Sequence, residues 1–205
     1  MSGEGIAGLN VSRETMGRLE TYLELLAKWN SKINLVSKST LDHAWTRHFV
    51  DSAQLLELAP DDAKIWIDMG SGGGFPGLVI AIIGAELRPA LSVTLMESDQ
   101  RKCAFLRNVL RETGVAAQVL SKRIEQIDPT GADVISARAL APLHVLLGFA
   151  VHHGAPNLTA LFPKGESWKS EVEAAEREWR FQHEVWPSKT NPEAVVLRIK
   201  EIEHV

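Results

Sequence analysis

Ile65-Trp66-Ile67-Asp68-Met69-Gly70-Ser71-Gly72-Gly73-Gly74-Phe75-Pro76-Gly77 runs from an apolar stretch through an acid into five glycines within eight positions. Glycine takes positive φ at low cost and lets backbone N–H groups approach a ligand, so this spacing predicts a loop in close contact with a nucleotide-type molecule. From Ile65 onward, short apolar runs (Ile65 to Asp68, Ser92 to Met96, Ala116 to Leu120, Asp133 to Ser136, Leu158 to Phe162) alternate with helical patterns. The helical patterns fall near Gly77 to Ile83, Gln100 to Thr113, Pro142 to His152 and Trp168 to Trp179. That alternation predicts βαβ units and a parallel sheet. Glu184 to Trp186 and Ala194 to Ile202, separated by a turn containing Pro and Asn, predict an antiparallel hairpin at one edge.

Upstream of the loop the period is helical. Met16, Leu19, Tyr22, Leu23, Leu26 and Trp29 recur at spacings of three and four, with Ser12 placed as N-cap. A second amphipathic run, Leu41 to Leu58, carries Arg47, His48 and Asp51 on its polar positions, which predicts a helical His48–Asp51 ion pair. The chain therefore divides into an N-terminal helical segment, residues 1–60, packed on a core domain of residues 61–205.

Composition bounds the function classes. With 205 residues, 45% of them hydrophobic, the chain can bury a sizeable core. Met1-Ser2-Gly3-Glu4-Gly5 lacks the basic and apolar regions of a secretory signal, and the longest apolar stretch, Gly77 to Ala85, is far short of the roughly 20 residues that span a bilayer. A soluble, cytoplasmic protein is expected. Cys103 is the single cysteine, which excludes an internal disulfide and a cysteine-rich zinc site, and its helical neighbours Phe105 and Leu106 predict a core residue. No histidines stand at metal-ligand spacing, so no metal is expected. The net charge is −4, yet Lys28, Lys32, Lys38 and Arg47 oppose Asp42 alone between residues 28 and 48. Six cations oppose three acids between Ser98 and Glu125. Two positive zones in an acidic chain are compatible with one phosphate-facing surface.

In open α/β sheets ligands bind beyond the carboxyl ends of the strands. The residues expected there are Asp68 with the glycines, Glu97, the Ile124-Glu125 pair, Arg138, and Lys164 with Gly165. The glycines also fit the dinucleotide pattern, but an acid two residues before the first glycine suits a pyrophosphate poorly. S-adenosylmethionine has no phosphate and carries cationic ammonium and sulfonium groups, so Asp68 is expected to favour its methionyl end and Glu97 to accept from the ribose hydroxyls. A cysteine nucleophile for pyrimidine C-5 is missing, and Ser136-Ala137-Arg138-Ala139 is not a motif that holds an exocyclic amine. A nicotinamide-dependent oxidoreductase and a non-catalytic RNA-binding assembly module remain as alternatives.

Trp29-Asn30 with Asn34-Leu35-Val36-Ser37, Arg47-His48 with Asp51-Ser52, the Asp68 to Gly77 loop, Arg101-Lys102 with Phe105-Leu106, Ala137-Arg138-Ala139 and Lys164-Gly165 form a spaced set over nearly the whole chain. With that set the sequence resembles the bacterial 16S ribosomal RNA guanine-N7 methyltransferases, the glucose-inhibited division protein B family. One departure is Val36, where the family usually has Thr. The resemblance implies an α/β fold with a Rossmann-like class I methyltransferase sheet, parallel with an antiparallel C-terminal hairpin. It implies S-adenosyl-L-methionine as cofactor, held by Gly70, Phe75, Glu97, Ile124, Glu125 and Arg138. It implies 16S ribosomal RNA or the small ribosomal subunit as partner, with Arg47, His48 and Lys164 toward the RNA, in a monomer. Guanine N7 carries a lone pair and no proton, so a positioning mechanism without a catalytic base follows, with Arg138 the candidate for a direct role.

Overall fold

The computed structural model describes residues 4–205; Met1, Ser2 and Gly3, part of the opening stretch read above for a secretory signal, lie outside the described residues. A short antiparallel hairpin, β1 (Glu4–Ile6) and β2 (Leu9–Val11), leads into α1 (Arg13–Asn30). Ser12 caps α1 by accepting the Thr15 N–H at 3.2 Å. Leu19, Tyr22 and Leu26 are fully buried on one face, with Met16, Leu23 and Trp29 at its margin, as the periodicity predicts.

Leu41 to Leu58 is not one helix. It breaks into α2 (Lys38–Leu41), a π turn (Trp45–Val50), α3 (Asp51–Ala53) and α4 (Leu55–Leu58). A π turn holds more residues than an α turn and so shifts the phase of the side chains that follow. His48 consequently turns inward, leaving 9% of its surface exposed, although the simple helical period puts it on the polar face.

The core follows as β3 (Ile65–Met69), α5 (Gly77–Leu87), β4 (Ser92–Met96), α6 (Gln100–Thr113), β5 (Gln118–Leu120), a 3-10 turn (Ile124–Gln126) and β6 (Ala132–Ala137). Then come α7 (Leu143–His153), β7 (Gly154–Lys164), α8 (Trp168–Ala175), β8 (Trp179–Pro187) and β9 (Val195–His204). The seven-stranded sheet has the order β5-β4-β3-β6-β7-β9-β8. Strands β3 to β7 are parallel, and β9 runs antiparallel to both β7 and β8. The expected edge hairpin is thus present, with its second strand inserted against the parallel core. Trp179, predicted to close α8, instead opens β8.

Side chains alternate across β3. Trp66 faces the apolar cluster shared with α1, α5 and α6, whereas Ile67 and Met69 face the cluster shared with α7 and β9. The N-terminal helices belong to the first cluster, so they are packed on the sheet layer. No helix among the described residues is long and apolar enough to cross a membrane. The strand order reverses between β3 and β6, and at such a point loops diverge and leave a crevice beyond the carboxyl ends.

Candidate functional site

The glycine loop closes over its own acid. Asp68 shares the phase of Trp66, so its carboxylate points under α5 and not out of the strand end, and it is fully buried. One oxygen accepts the Gly77 N–H at 3.1 Å, and the other accepts the Ser136 hydroxyl at 2.8 Å, which in turn accepts the Trp66 indole N–H at 2.9 Å. A Cβ on Gly77 would lie 2.6 Å from the Asp68 carboxylate, so only glycine admits this contact. The expectation that Asp68 meets a methionyl ammonium is therefore corrected: its place is behind the loop, outside the cavity wall.

Burial pushes the Asp68 pKa up to about 6 despite the hydrogen bonds that oppose it. The folded state then holds this proton more tightly than the unfolded chain. Its contribution is complete below about pH 4 and is lost as pH rises through 6, a change of about 3 kcal/mol. Asp68→Asn, which cannot ionise, is expected to gain about 2 kcal/mol of stability relative to the parent between pH 4.5 and pH 7 in urea unfolding. A pH-independent difference between the two proteins would refute this account.

Above the loop lies a cavity of about 770 Å³ lined by Gly70, Phe75, Glu97, Ile124, Glu125 and Arg138 together, the whole set that the family resemblance implied. Gly70 sits at φ +64° facing Leu140. Glu97 is 8% exposed, accepts Gly72 N–H at 2.9 Å with one oxygen and Asp99 N–H at 2.8 Å with the other, and each oxygen retains a second lone pair. Asp99, not Glu97, caps α6, accepting from Arg101 and Lys102 N–H. The N-terminal segment completes the wall. Asn30 accepts the N–H groups of Leu35 and Val36 at 2.9 and 3.0 Å, folding that loop against the cavity, and the Tyr22 hydroxyl donates to the Gly73 carbonyl. Val36 is among the lining residues, so the departure from Thr removes a hydroxyl at the wall itself.

A second cavity of about 800 Å³ adjoins the first, sharing Thr40, His48, Arg138, Ala139, Leu140 and Ala141 with it. Arg47, His48 and Lys164 all line it. Arg138 stands at the junction: its guanidinium lies 5.1 Å from the Phe75 ring centroid, 3.5 Å from Asp51 and within 3.3 Å of the Arg47 carbonyl. Asp51 therefore pairs with Arg138, not with His48 as the helical spacing predicted. His48 stacks on Phe75 at 4.9 Å and shares a hydrogen bond with Thr40 at 3.0 Å. Burial, then the charges of Arg138 and Arg47, lower its pKa to about 4, which leaves it neutral at pH 7. Lys164 is no solvated lysine. Its side chain is 8% exposed and donates to Glu171 at 2.7 Å and to the Ala141 carbonyl at 3.2 Å.

Several site residues escaped the sequence reading. Tyr22 belongs to the predicted packing face and Asn30 only to the spaced family set, and nothing local marks either as a prop of the loop. Ser136 was legible in principle, because strand parity places it beside Asp68. Ser188 and Thr190, from the hairpin turn, each reach Asp51 at 3.0 Å across more than 130 residues, which no local pattern signals. Cys103 is in the core, as predicted, with its thiol directed at the Glu97 carbonyl. The two positive zones do converge: Lys32, Arg101 and Lys102 line one small groove, and Lys28, Lys32 and Arg111 line its neighbour.

The chain matches the family model of rRNA small subunit methyltransferase G over residues 15–195. A relative from Ruegeria sp. (strain TM1040), named ribosomal RNA small subunit methyltransferase G, is 54% identical over 203 residues, covering 99% of this chain and 98% of that one. One of the same name from Ruegeria pomeroyi is 52% identical over 197 residues, covering 96% of each. Among solved structures, a TehB-like SAM-dependent methyltransferase from Corynebacterium glutamicum shares the fold with a TM-score of 0.55 at 16% identity, over 91% of this chain and 100% of that one. TYW2 from M. jannaschii, solved in complex with AdoMet, does so with a TM-score of 0.58 at 13% identity, over 85% and 80%. The oxidoreductase and the non-catalytic module find no support in these matches.

Proposed function

The chain belongs to the rRNA small subunit methyltransferase G family, and on that footing we propose that it transfers a methyl group from S-adenosyl-L-methionine to N7 of a guanine in 16S ribosomal RNA, acting on the RNA or on the small ribosomal subunit. The observation that carries the reading is that Gly70, Phe75, Glu97, Ile124, Glu125 and Arg138 line one cavity, which adjoins a second one bordered by Arg47, His48 and Lys164. When bound, S-adenosylmethionine supplies an electrophilic methyl: the N7 lone pair attacks its carbon, the carbon–sulfur bond breaks, and S-adenosylhomocysteine leaves.

The residues then have simple tasks. Glu97 accepts from the ribose hydroxyls with its free lone pairs, Ile124 and Glu125 border the adenine, and Gly70 leaves room for the ligand to approach the loop backbone. Phe75 is 4% exposed and offers a ring edge, since Tyr22, His48 and Arg138 cover its faces. Arg138 at the junction donates to guanine O6 or to a phosphate. No side chain has to remove a proton, so holding donor and acceptor in line supplies most of the acceleration, for which effective molarities of about 10⁵ to 10⁸ M are attainable. His48, neutral and bonded to Thr40, suits a structural place in such a site. The converging grooves of Lys28, Lys32, Arg101 and Lys102 add a track for the phosphodiester backbone. The N-terminal helices up to residue 60 serve in this reading as a layer that props the loop, residues 61–205 as the methyltransferase domain, and the protein works as a cytoplasmic monomer.

A thermal-shift comparison tests the cofactor. S-adenosylhomocysteine at about 100 times its Kd is expected to raise the Tm by about 5 to 10 °C, because such saturation is worth about 2.7 kcal/mol in a chain of this size, while NAD leaves it unchanged. A shift with NAD alone would reverse the assignment. Transfer of labelled methyl to small-subunit RNA, mapped to guanine N7, tests the acceptor; cofactor binding without any transfer would sink that half of the reading.

A further inference from the structure

Among the described residues, the second cavity is lined by a carboxylate oxygen that the fold leaves without a hydrogen bond. Two carboxylates line it, Asp51 and Glu171. Asp51 is already committed within the fold: one oxygen accepts from Gln54, Ser188 and Thr190, and the other lies 3.5 Å from the Arg138 guanidinium. Glu171, on α8, uses Oε2 to accept from Lys164 at 2.7 Å and from the Leu143 N–H at 3.1 Å. Its Oε1 receives no hydrogen bond from the described residues, and a quarter of the side chain is exposed.

A purine entering this space with N7 toward the first cavity carries its opposite edge away from the methyl donor. For guanine, that opposite edge presents two adjacent donors, N1–H and the 2-amino group, whereas O6 lies beside N7. We propose that Glu171 is the specificity-determining residue of the acceptor pocket: its Oε1 accepts from N1–H and the 2-amino group of guanine while Arg138, at the junction, donates to O6. The inference rests on the guanine-N7 reading above and deepens it. Adenine puts a bare acceptor at N1 and has no 2-amino group, so the carboxylate repels it. Lys164 holds the Glu171 carboxyl in place and offsets its charge, so the pair stays nearly neutral until a base arrives.

The test compares kcat/KM for substrate RNA carrying guanine or inosine at the methylated position, inosine being guanine without the 2-amino group. For the parent, guanine is expected to be favoured about tenfold, toward the lower end of what a good two-point base contact is worth. In Glu171→Gln the amide oxygen stays on Lys164 and the Leu143 N–H, which turns the NH₂ into the cavity, and the guanine preference is expected to collapse to near one. If E171Q loses activity equally on both RNAs, Glu171 is only a support for Lys164 and the proposal is overturned. A parent ratio near one overturns it too, whether or not the variant folds. Absence of any transfer by the parent to the guanine RNA is a different result, and it removes the proposed function along with this inference.

Discussion

Gly70→Asp is expected to bind S-adenosylhomocysteine at least about 100-fold more weakly than the parent, a loss of about 2.7 kcal/mol, while remaining folded. Backbone strain is the smaller part of the effect. Gly70 has φ +64°, in the left-handed region, and aspartate tolerates that region for roughly 1 kcal/mol. Space is the larger part. A Cβ at this position lies 2.5 Å from Leu140 Cδ1, and Leu140 is 36% exposed, so the leucine can swing aside, but only by giving up its place on the cavity wall. The added carboxylate then stands in the cavity itself, with Glu97 as a second negative charge on the same wall. Titration calorimetry reads the affinity, and far-UV circular dichroism with urea unfolding reads the fold. Undiminished affinity in a folded protein would remove Gly70 from the site. Gly70→Ala, which adds the clash without the charge, should fall in between.

What the sequence made legible had local causes. β4 and α6 match their predicted limits because their signals are adjacent to them: Asp99 caps α6, and Gly114 ends it in the left-handed conformation at φ +65°. The parallel sheet follows from hydrophobic period, and the edge hairpin from two apolar runs with a Pro- and Asn-containing turn between them. The three-residue strands β1 and β2 were too short to carry a period, and the π turn is a change of phase that a helical template absorbs as noise. Within the site, residue types at strand ends identified the cavity wall but not their directions. Asp68 was read outward because it ends a strand, although its parity with Trp66 sends it inward to Ser136 and Gly77. His48 and Asp51 were paired because three residues separate them on a helix. Their true partners, Thr40 and Arg138, are set by the π turn and by a residue 87 positions beyond Asp51, just past the end of β6.

Arg138→Ala is expected to lose both stability and methyl transfer, and the two losses are separable. Arg138 and Asp51 are 19% and 15% exposed as side chains, so deletion of the cation strands a mostly buried carboxylate. Breaking such a pair costs 3–5 kcal/mol when fully buried, and partial exposure brings the expected loss to about 2–3 kcal/mol. Asp51→Asn added to Arg138→Ala removes the stranded charge and keeps an oxygen for Ser188 and Thr190, so urea unfolding of the double variant should recover most of that stability. Transfer should not recover with it. The guanidinium spans Phe75 on one side and the junction of the cavities on the other, a position that neither an asparagine nor a water reproduces. Under the guanine-N7 reading, losing a donor beside the reacting ring is expected to lower kcat/KM by about 100-fold in the single and the double variant alike, the scale of one well-aimed hydrogen bond in a dry site. Cofactor affinity should fall less, by about tenfold, because Glu97 and the glycine loop are left intact. Should the double variant regain transfer along with stability, Arg138 would be a strut that holds Asp51 and the hairpin turn, and the assignment of its guanidinium to the acceptor would have to be given up.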